Sequence, residues 1–208
     1  FSTHKYSFFN FYLLMKFRIF KFSKVTSTND VAIKLIKKEK KLFGFVYADM
    51  QSKGRGTKGR RWISQKGNFF GSIFFPLGKK YPPFHEFTVI SPVIISKTIK
   101  NFCKKKNINI KFPNDIFVNK KKICGILQEV VTFNDKQFLI TGIGLNLISN
   151  PLIKNNYETT NILLETKKIV KVKEIIDLIV LSYENFFIDL NSYKYTNFKQ
   201  KADAMAIY

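Results

Sequence analysis

Histidine and cysteine are nearly missing from this chain of 208 residues. His4 and His85 alone cannot build a histidine metal centre or a nucleophile–histidine triad, so no metal-ligating residue is expected. Cys103 and Cys124 are too few and too far apart in sequence for a disulfide framework. Cys124 falls in an apolar strand, where a reduced, buried thiol is expected. No run of about twenty apolar residues exists, which excludes a membrane-spanning helix. The first fifteen residues are aromatic, with Lys5 as their one lysine, and lack the basic region and small-residue cleavage site of a signal peptide. A cytoplasmic protein is therefore expected. The chain has no initiator Met, and either Met15 is the real start or the chain is a fragment.

Acidic residues are also scarce, 14 against 36 basic ones, for a formal charge of +22. Such an excess invites a nucleic-acid reading. Yet just four of the cations are arginines (Arg18, Arg55, Arg60 and Arg61), and the lysines are spread along the chain. There is no arginine stripe, helix-turn-helix or aromatic RNA motif, so no specific nucleic-acid partner is expected.

Glycine numbers ten, and three of the ten fall with three of the four arginines between Gly54 and Trp62. Arginine amid lysines marks a need for a planar, bidentate fork. Glycine lets backbone amides approach an anion. The loop thus suits closure over a phosphate-bearing ligand, with a plain basic surface loop as the alternative. Gly54, Gly56 and Gly59 match a dinucleotide fingerprint in letters only. No helix opens after them and no acid follows at the ribose position.

Three further segments accompany the loop. Thr26-Ser-Thr-Asn29 reads as a helix N-terminus. Pro113-Asn114-Asp115 is a turn signal, and Asn119-Lys-Lys a hairpin tip from which Lys122 enters a strand three residues before Gly125. Thr141-Gly-Ile-Gly-Leu-Asn146 ends an apolar strand, with Gly142 and Gly144 on one face able to admit a flat ligand.

Taken in order, these four segments resemble the biotin protein ligase (holocarboxylase synthetase) family over about residues 22 to 165. The family shows Ser-Thr-Asn, a Gly-Arg-Gly-Arg-x-Gly-Arg-x-Trp loop, Lys-Trp-Pro-Asn-Asp followed by Lys-x-x-Gly-Ile-Leu-x-Glu, and Gly-x-Gly-x-Asn. This chain departs at Thr57, where the family has a second loop arginine, at Phe112 for Trp, and at Gln65 for Pro. The resemblance implies ATP-dependent ligation of biotin, with Mg²⁺, to a lysine of a biotin carboxyl carrier protein through biotinyl-5′-adenylate. The carrier would belong to acetyl-CoA carboxylase or a related carboxylase. The family includes monomers and dimers.

By the same resemblance, Ser27, Thr28, Asn29 and Gln51 line the biotin end, and Gly54, Gly56, Gly125 and Gly142 allow close approach. Arg55 contacts the carboxylate and α-phosphate, and Arg60 the nucleotide phosphates. Lys122 sits at the carboxylate–phosphate junction. Trp62 covers the adenine, or else is an ordinary core tryptophan, and Asn146 meets the adenine edge. Asn114 belongs to the ligand set. Asp115 orients Lys122, assists Mg²⁺, or simply caps its turn. Thr57 implies a weaker grip on the adenylate.

Hydrophobic periodicity predicts helices over 29–41, 84–105 and 173–190, with Pro92 kinking or restarting the second. Strands are predicted over 43–50, 69–75, 108–112, 116–118, 123–133 and 137–147. The expected fold is α+β, a mixed, largely antiparallel sheet flanked by helices, as in class II aminoacyl-tRNA synthetases. Residues 1–20 read as a poorly defined extension and 21–208 as the catalytic domain, with neither an N-terminal DNA-binding domain nor the C-terminal SH3-like domain. The alternatives are a lipoate or octanoate transferase of the same fold, whose Arg-Arg-x-Ser-Gly-Gly-Gly loop is missing, a decayed, non-catalytic ligase, or a non-catalytic basic nucleic-acid binder.

Overall fold

The computed structural model describes residues 16–151 and 157–207. The first fifteen residues of the expected extension lie outside them. The last few do not belong to an extension, because Phe17 is buried in the core and strand β1 (Arg18–Val25) follows it. Periodicity missed β1. Its lysines and arginine alternate irregularly with apolar residues, and most of its side chains are exposed.

Helix α1 (Thr28–Lys37) comes next, then β2 (Gly44–Gln51), β3 (Phe69–Pro76) and helix α2 (Phe84–Phe102). β4 (Ile108–Lys111), β5 (Asp115–Val118), β6 (Lys121–Phe133) and β7 (Lys136–Leu145) follow. Three helices complete the fold: α3 (Ile162–Thr166), α4 (Val172–Ile188) and α5 (Tyr195–Asp203). The short α3 and the polar α5 carry no clear apolar period and were not expected.

The seven strands form one sheet in the order β1-β2-β3-β7-β6-β5-β4. β1 pairs parallel with β2, and every other pairing is antiparallel. Two tight hairpins fix the register of β5, β6 and β7. Their turn residues, Asn119-Lys120 and Asn134-Asp135, all have positive φ, as the twist-matched two-residue turn demands.

The sheet alternates its side chains between two layers. On one face, Ala32, Leu35 and Ile36 of α1 pack on Val46, Phe74, Phe138 and Ile140. On the other, α2 and α4 bury Ile90, Ile94, Ile179 and Phe187 against Phe45, Ile73, Phe75 and Leu139. Edge-to-face rings knit this second layer. Phe75 and Phe187 lie 4.8 Å apart at 77°, and Phe17 joins both. Such pairs add about 0.5–1.5 kcal/mol beyond their buried area. α2 runs unbroken through Pro92, with Gln128 Nε2 donating to Phe87 O and Ser91 Oγ beside it.

No helix among the described residues is long and apolar enough to cross a membrane. Both cysteines are buried and free. Burial pushes the Cys103 thiol up to about 11 and that of Cys124 higher still. The thiolate is the reactive form. A thiol reagent at pH 8 should therefore label neither cysteine in the native protein and both after denaturation. Rapid native labelling, followed by absorbance, would contradict this packing.

Candidate active site

The α1 face of the sheet is covered only in part. Where the helix begins, β6 and β7 present Gly125, Gly142 and Gly144, and Gly125 pairs directly with Gly144. No side chain rises from these three positions, so a cleft of about 270 Å³ remains. Two groups from elsewhere enter it. The Asn29 carboxamide lies where a Gly142 side chain would stand, and the Trp62 indole lies over Gly125 and Gly144. A Cβ on Gly125 would come within 2.5 Å of the indole, and one on Gly144 closer still.

A hydrogen-bond chain runs along one wall. Ser27 occupies the N-cap position of α1 with extended backbone, but its side chain makes no cap bond. Gln51, at the end of β2, caps the helix instead. Its Oε1 accepts from Thr28 N at 2.8 Å, and its Nε2 donates to Ser64 Oγ. Ser72 Oγ stands 2.7 Å from Thr28 Oγ1 and donates to Asn29 Oδ1. Asn29 Nδ2 then donates to Glu129 at 2.6 Å. Glu129 in turn receives both arms of the Arg55 fork at 2.7 Å, and Asp30 receives a further bond from Arg55 at 2.8 Å. Its carboxylate partners hold the Arg55 guanidinium above its ordinary pKa, against the lowering effect of burial.

The glycine–arginine loop is a hairpin closed by Trp62 N–H donating to Gly54 O and Gly56 N–H to Arg60 O. A 3-10 turn at Thr57–Gly59 forms its tip. Gly54 does not line the cleft. A Cβ there would meet Trp62 O at 2.5 Å, so its glycine serves the crossing of the two hairpin arms. Arg60 folds back on Thr57, donating to its carbonyl and hydroxyl at 3.3 Å.

Lys122 lines the same cleft. Its ammonium pairs with Asp115 at 2.6 Å, lies 3.5 Å from Tyr157 Oη, and faces the rings of Trp62 and Tyr157. The side chain is 12% exposed, so the charge is held in place rather than solvated. Asn114 lies outside the cleft. Its Nδ2 donates to Ile126 O and its carbonyl accepts from Ile126 N–H, which pins the Pro-Asn-Asp turn to β6. The carboxamide of Asn146 donates to Thr160 O. Buried Asn68 anchors the next turn by accepting from the backbone N–H groups of Leu147, Ile148 and Ser149.

Of the residues expected from the sequence, Ser27, Thr28, Asn29, Gln51, Arg55, Gly56, Thr57, Arg60, Trp62, Asp115, Lys122, Gly125, Gly142 and Asn146 line one cleft. Gly54 and Asn114 do not. Gly144, read from the sequence as able to admit a flat ligand, also lines it, and sequence reasoning missed Arg61, Tyr157 and Thr159 as lining groups, and Asp30 and Glu129 as the partners of Arg55. Glu129 and Gly144 stood within the motifs. Tyr157 and Thr159 lie past them with no pattern to mark them.

A model of the biotin/lipoate A/B protein ligase family matches residues 19–146. Biotin–protein ligase 2 of Arabidopsis thaliana is 31% identical over 154 residues, 67% of this chain and 44% of that protein. The biotin–[acetyl-CoA-carboxylase] ligase of Paracoccus denitrificans is 28% identical over 180 residues, 82% of this chain and 73% of that protein. The biotin protein ligase of Aquifex aeolicus, solved with biotin and ATP, superimposes with a TM-score of 0.76 at 25% identity, covering 92% of this chain and 79% of that one. The Leishmania major enzyme, solved with biotinyl-5-AMP, gives 0.74 at 25%, covering 91% and 81%. The chain spans 44%, 33% and 39% of the length of the first three curated relatives it matches. With six strands entire, all of β1 but Arg18, the glycine floor, Arg55 and Lys122 inside the matched segment, the chain belongs to the biotin/lipoate A/B protein ligase family.

Proposed function

We propose that this chain joins biotin to a lysine of a biotin carboxyl carrier protein, by way of biotinyl-5′-adenylate. The observation that carries this reading is that Arg55 and Lys122 line one cleft together with Gly125, Gly142 and Gly144. The relatives named above support biotin over lipoate, and the structures solved with biotin, ATP and biotinyl-5-AMP support the adenylate route.

In the first step a biotin carboxylate oxygen attacks the α-phosphorus of ATP and pyrophosphate leaves. Two anions must meet, and fixed cations lower that barrier. Lys122, steadied by Asp115, supplies a compact positive charge, and Arg55 a planar one. In the second step the carrier amine attacks the acyl carbon, loses its proton, and AMP leaves. The charge then returning to the phosphate falls on the same cations. Mg²⁺ would enter with the ATP phosphates, where one or two carboxylates and the phosphate oxygens suffice to hold it. Asp115 is the carboxylate that lines the cleft.

Trp62 acts as the roof. Its Nε1 is buried with no hydrogen-bond partner among the described residues, a cost of about 1–3 kcal/mol. The indole fills space over the paired glycines and moves when a ligand takes that space. Such a roof shields a hydrolysable anhydride from water.

Biotin-dependent ATP–pyrophosphate exchange tests the assignment. Wild type should exchange with biotin and not with lipoate, and Lys122→Ala should lose about a hundredfold or more, the usual cost of one preorganised charge. Lys122→Arg should not restore the rate. Exchange with lipoate alone would overturn the reading. Trp62 is the chain's single tryptophan. Gly144→Ala should therefore red-shift its emission and weaken biotin binding, and an unchanged spectrum would disprove the roof. Thr57→Arg should retain the adenylate longer, reducing the labelling of bystander lysines. Equal labelling by the two proteins would remove any role for Thr57 in retention.

A further inference from the structure

Arg55 faces more negative charge than it can balance. Its two end nitrogens take both oxygens of Glu129, and Nη2 also donates to Asp30. The two carboxylates differ in setting. Glu129 is 27% exposed and also accepts from Asn29 at 2.6 Å, so it joins the loop arginine to the floor of the cleft. Asp30 is 44% exposed, in the open first turn of α1.

We propose that Glu129 is the positioning residue that holds Arg55 over the cleft, and that Asp30 is a stand-in for the anion of the ligand. This deepens the function proposed above and rests on it. The end-on pair with Glu129 uses one hydrogen of each terminal nitrogen, and Asp30 takes the second hydrogen of Nη2. An incoming carboxylate takes that hydrogen without disturbing Glu129. Asp30 then returns to water, which hydrates it at little cost, so the exchange is nearly balanced. Surrendering Glu129 instead would strip a charged acceptor from Asn29 and Arg55 together in a half-buried place, where an unmatched group is expensive. The arginine therefore stays aimed in the absence of ligand, and the ligand displaces only the weaker of its two partners.

Calorimetric titration with biotin and with biotinamide, its neutral amide, tests the division of labour. Removing the stand-in charge in Asp30→Asn should tighten biotin about threefold and leave biotinamide unchanged, while Glu129→Gln should weaken biotin about tenfold. Tryptic cleavage of the ligand-free protein at Arg55 to Arg61 should speed up in Glu129→Gln and not in Asp30→Asn. Binding changes of the same sign in both variants, or equal changes for biotinamide, would overturn the proposal. Should Glu129→Gln fail to fold, Glu129→Asp, which keeps the charge on a shorter arm, carries the same comparison. If the wild type binds no biotin, the ligase reading fails by itself. The positioning of Arg55 by Glu129 is then decided by cleavage alone, and an unaltered cleavage rate in Glu129→Gln would refute it.

Discussion

A β-sheet that carries a helix on its face normally fills the space between with side chains, and three adjacent positions that carry none leave a hole. Gly125, Gly142 and Gly144 are those positions, and the arrangement around them follows from that hole. Asn29 reaches onto the sheet because Gly142 leaves room, and from there it meets Ser72 and Glu129. Trp62 seats on the glycine pair, which draws the loop hairpin down and brings Arg55 within reach of Glu129. A single methyl group on the floor would expel one of these visitors and undo the contacts that hang on it.

The electrostatics of the cleft contrast with those of the rest of the molecule. The surface is dominated by dispersed lysines, whose field is screened within about 8 Å at physiological salt. Inside the cleft two cations have assigned carboxylates: Lys122 has Asp115, and Arg55 has Glu129 and Asp30, while Arg60 and Arg61 donate to Thr57 and Ser52. The net excess of +22 governs solubility and general attraction to acidic surfaces. The short pairs govern where a ligand's charges can sit.

Most of the cleft could be read from the sequence because its residues come in short runs with fixed spacing. Lys122 and Gly125 share a strand, and the hairpin tip at Asn119 announced the turn that leads into it. What escaped has a physical reason in each case. β1 is an edge strand with polar residues on both sides, so alternation could not mark it. Glu129 was visible as a motif letter, but its bonds to Asn29 and Arg55 span 100 and 74 residues, and one sequence contains no trace of such a meeting. Asn68 is a buried amide in a connection, legible only once the turn it clamps is seen. Gly54 was assigned to the ligand because glycine in a basic loop suggests close approach, whereas what it approaches is the loop's own returning arm.

The β6–β7 hairpin has a consequence for how the molecule comes together. Its two strands are joined by two residues and pair from Cys124 to Phe133 along all of β7, so the glycine floor is local in the chain and closes at small entropic cost. The Arg55 wall is not local, since α1 and the loop must arrive from far upstream. Assembly is then ordered by chain topology, with the platform forming early and the charged partners docking late. A protein stalled on the way would hold the platform with Lys122 on it but without Arg55, which comes with the long-range contacts.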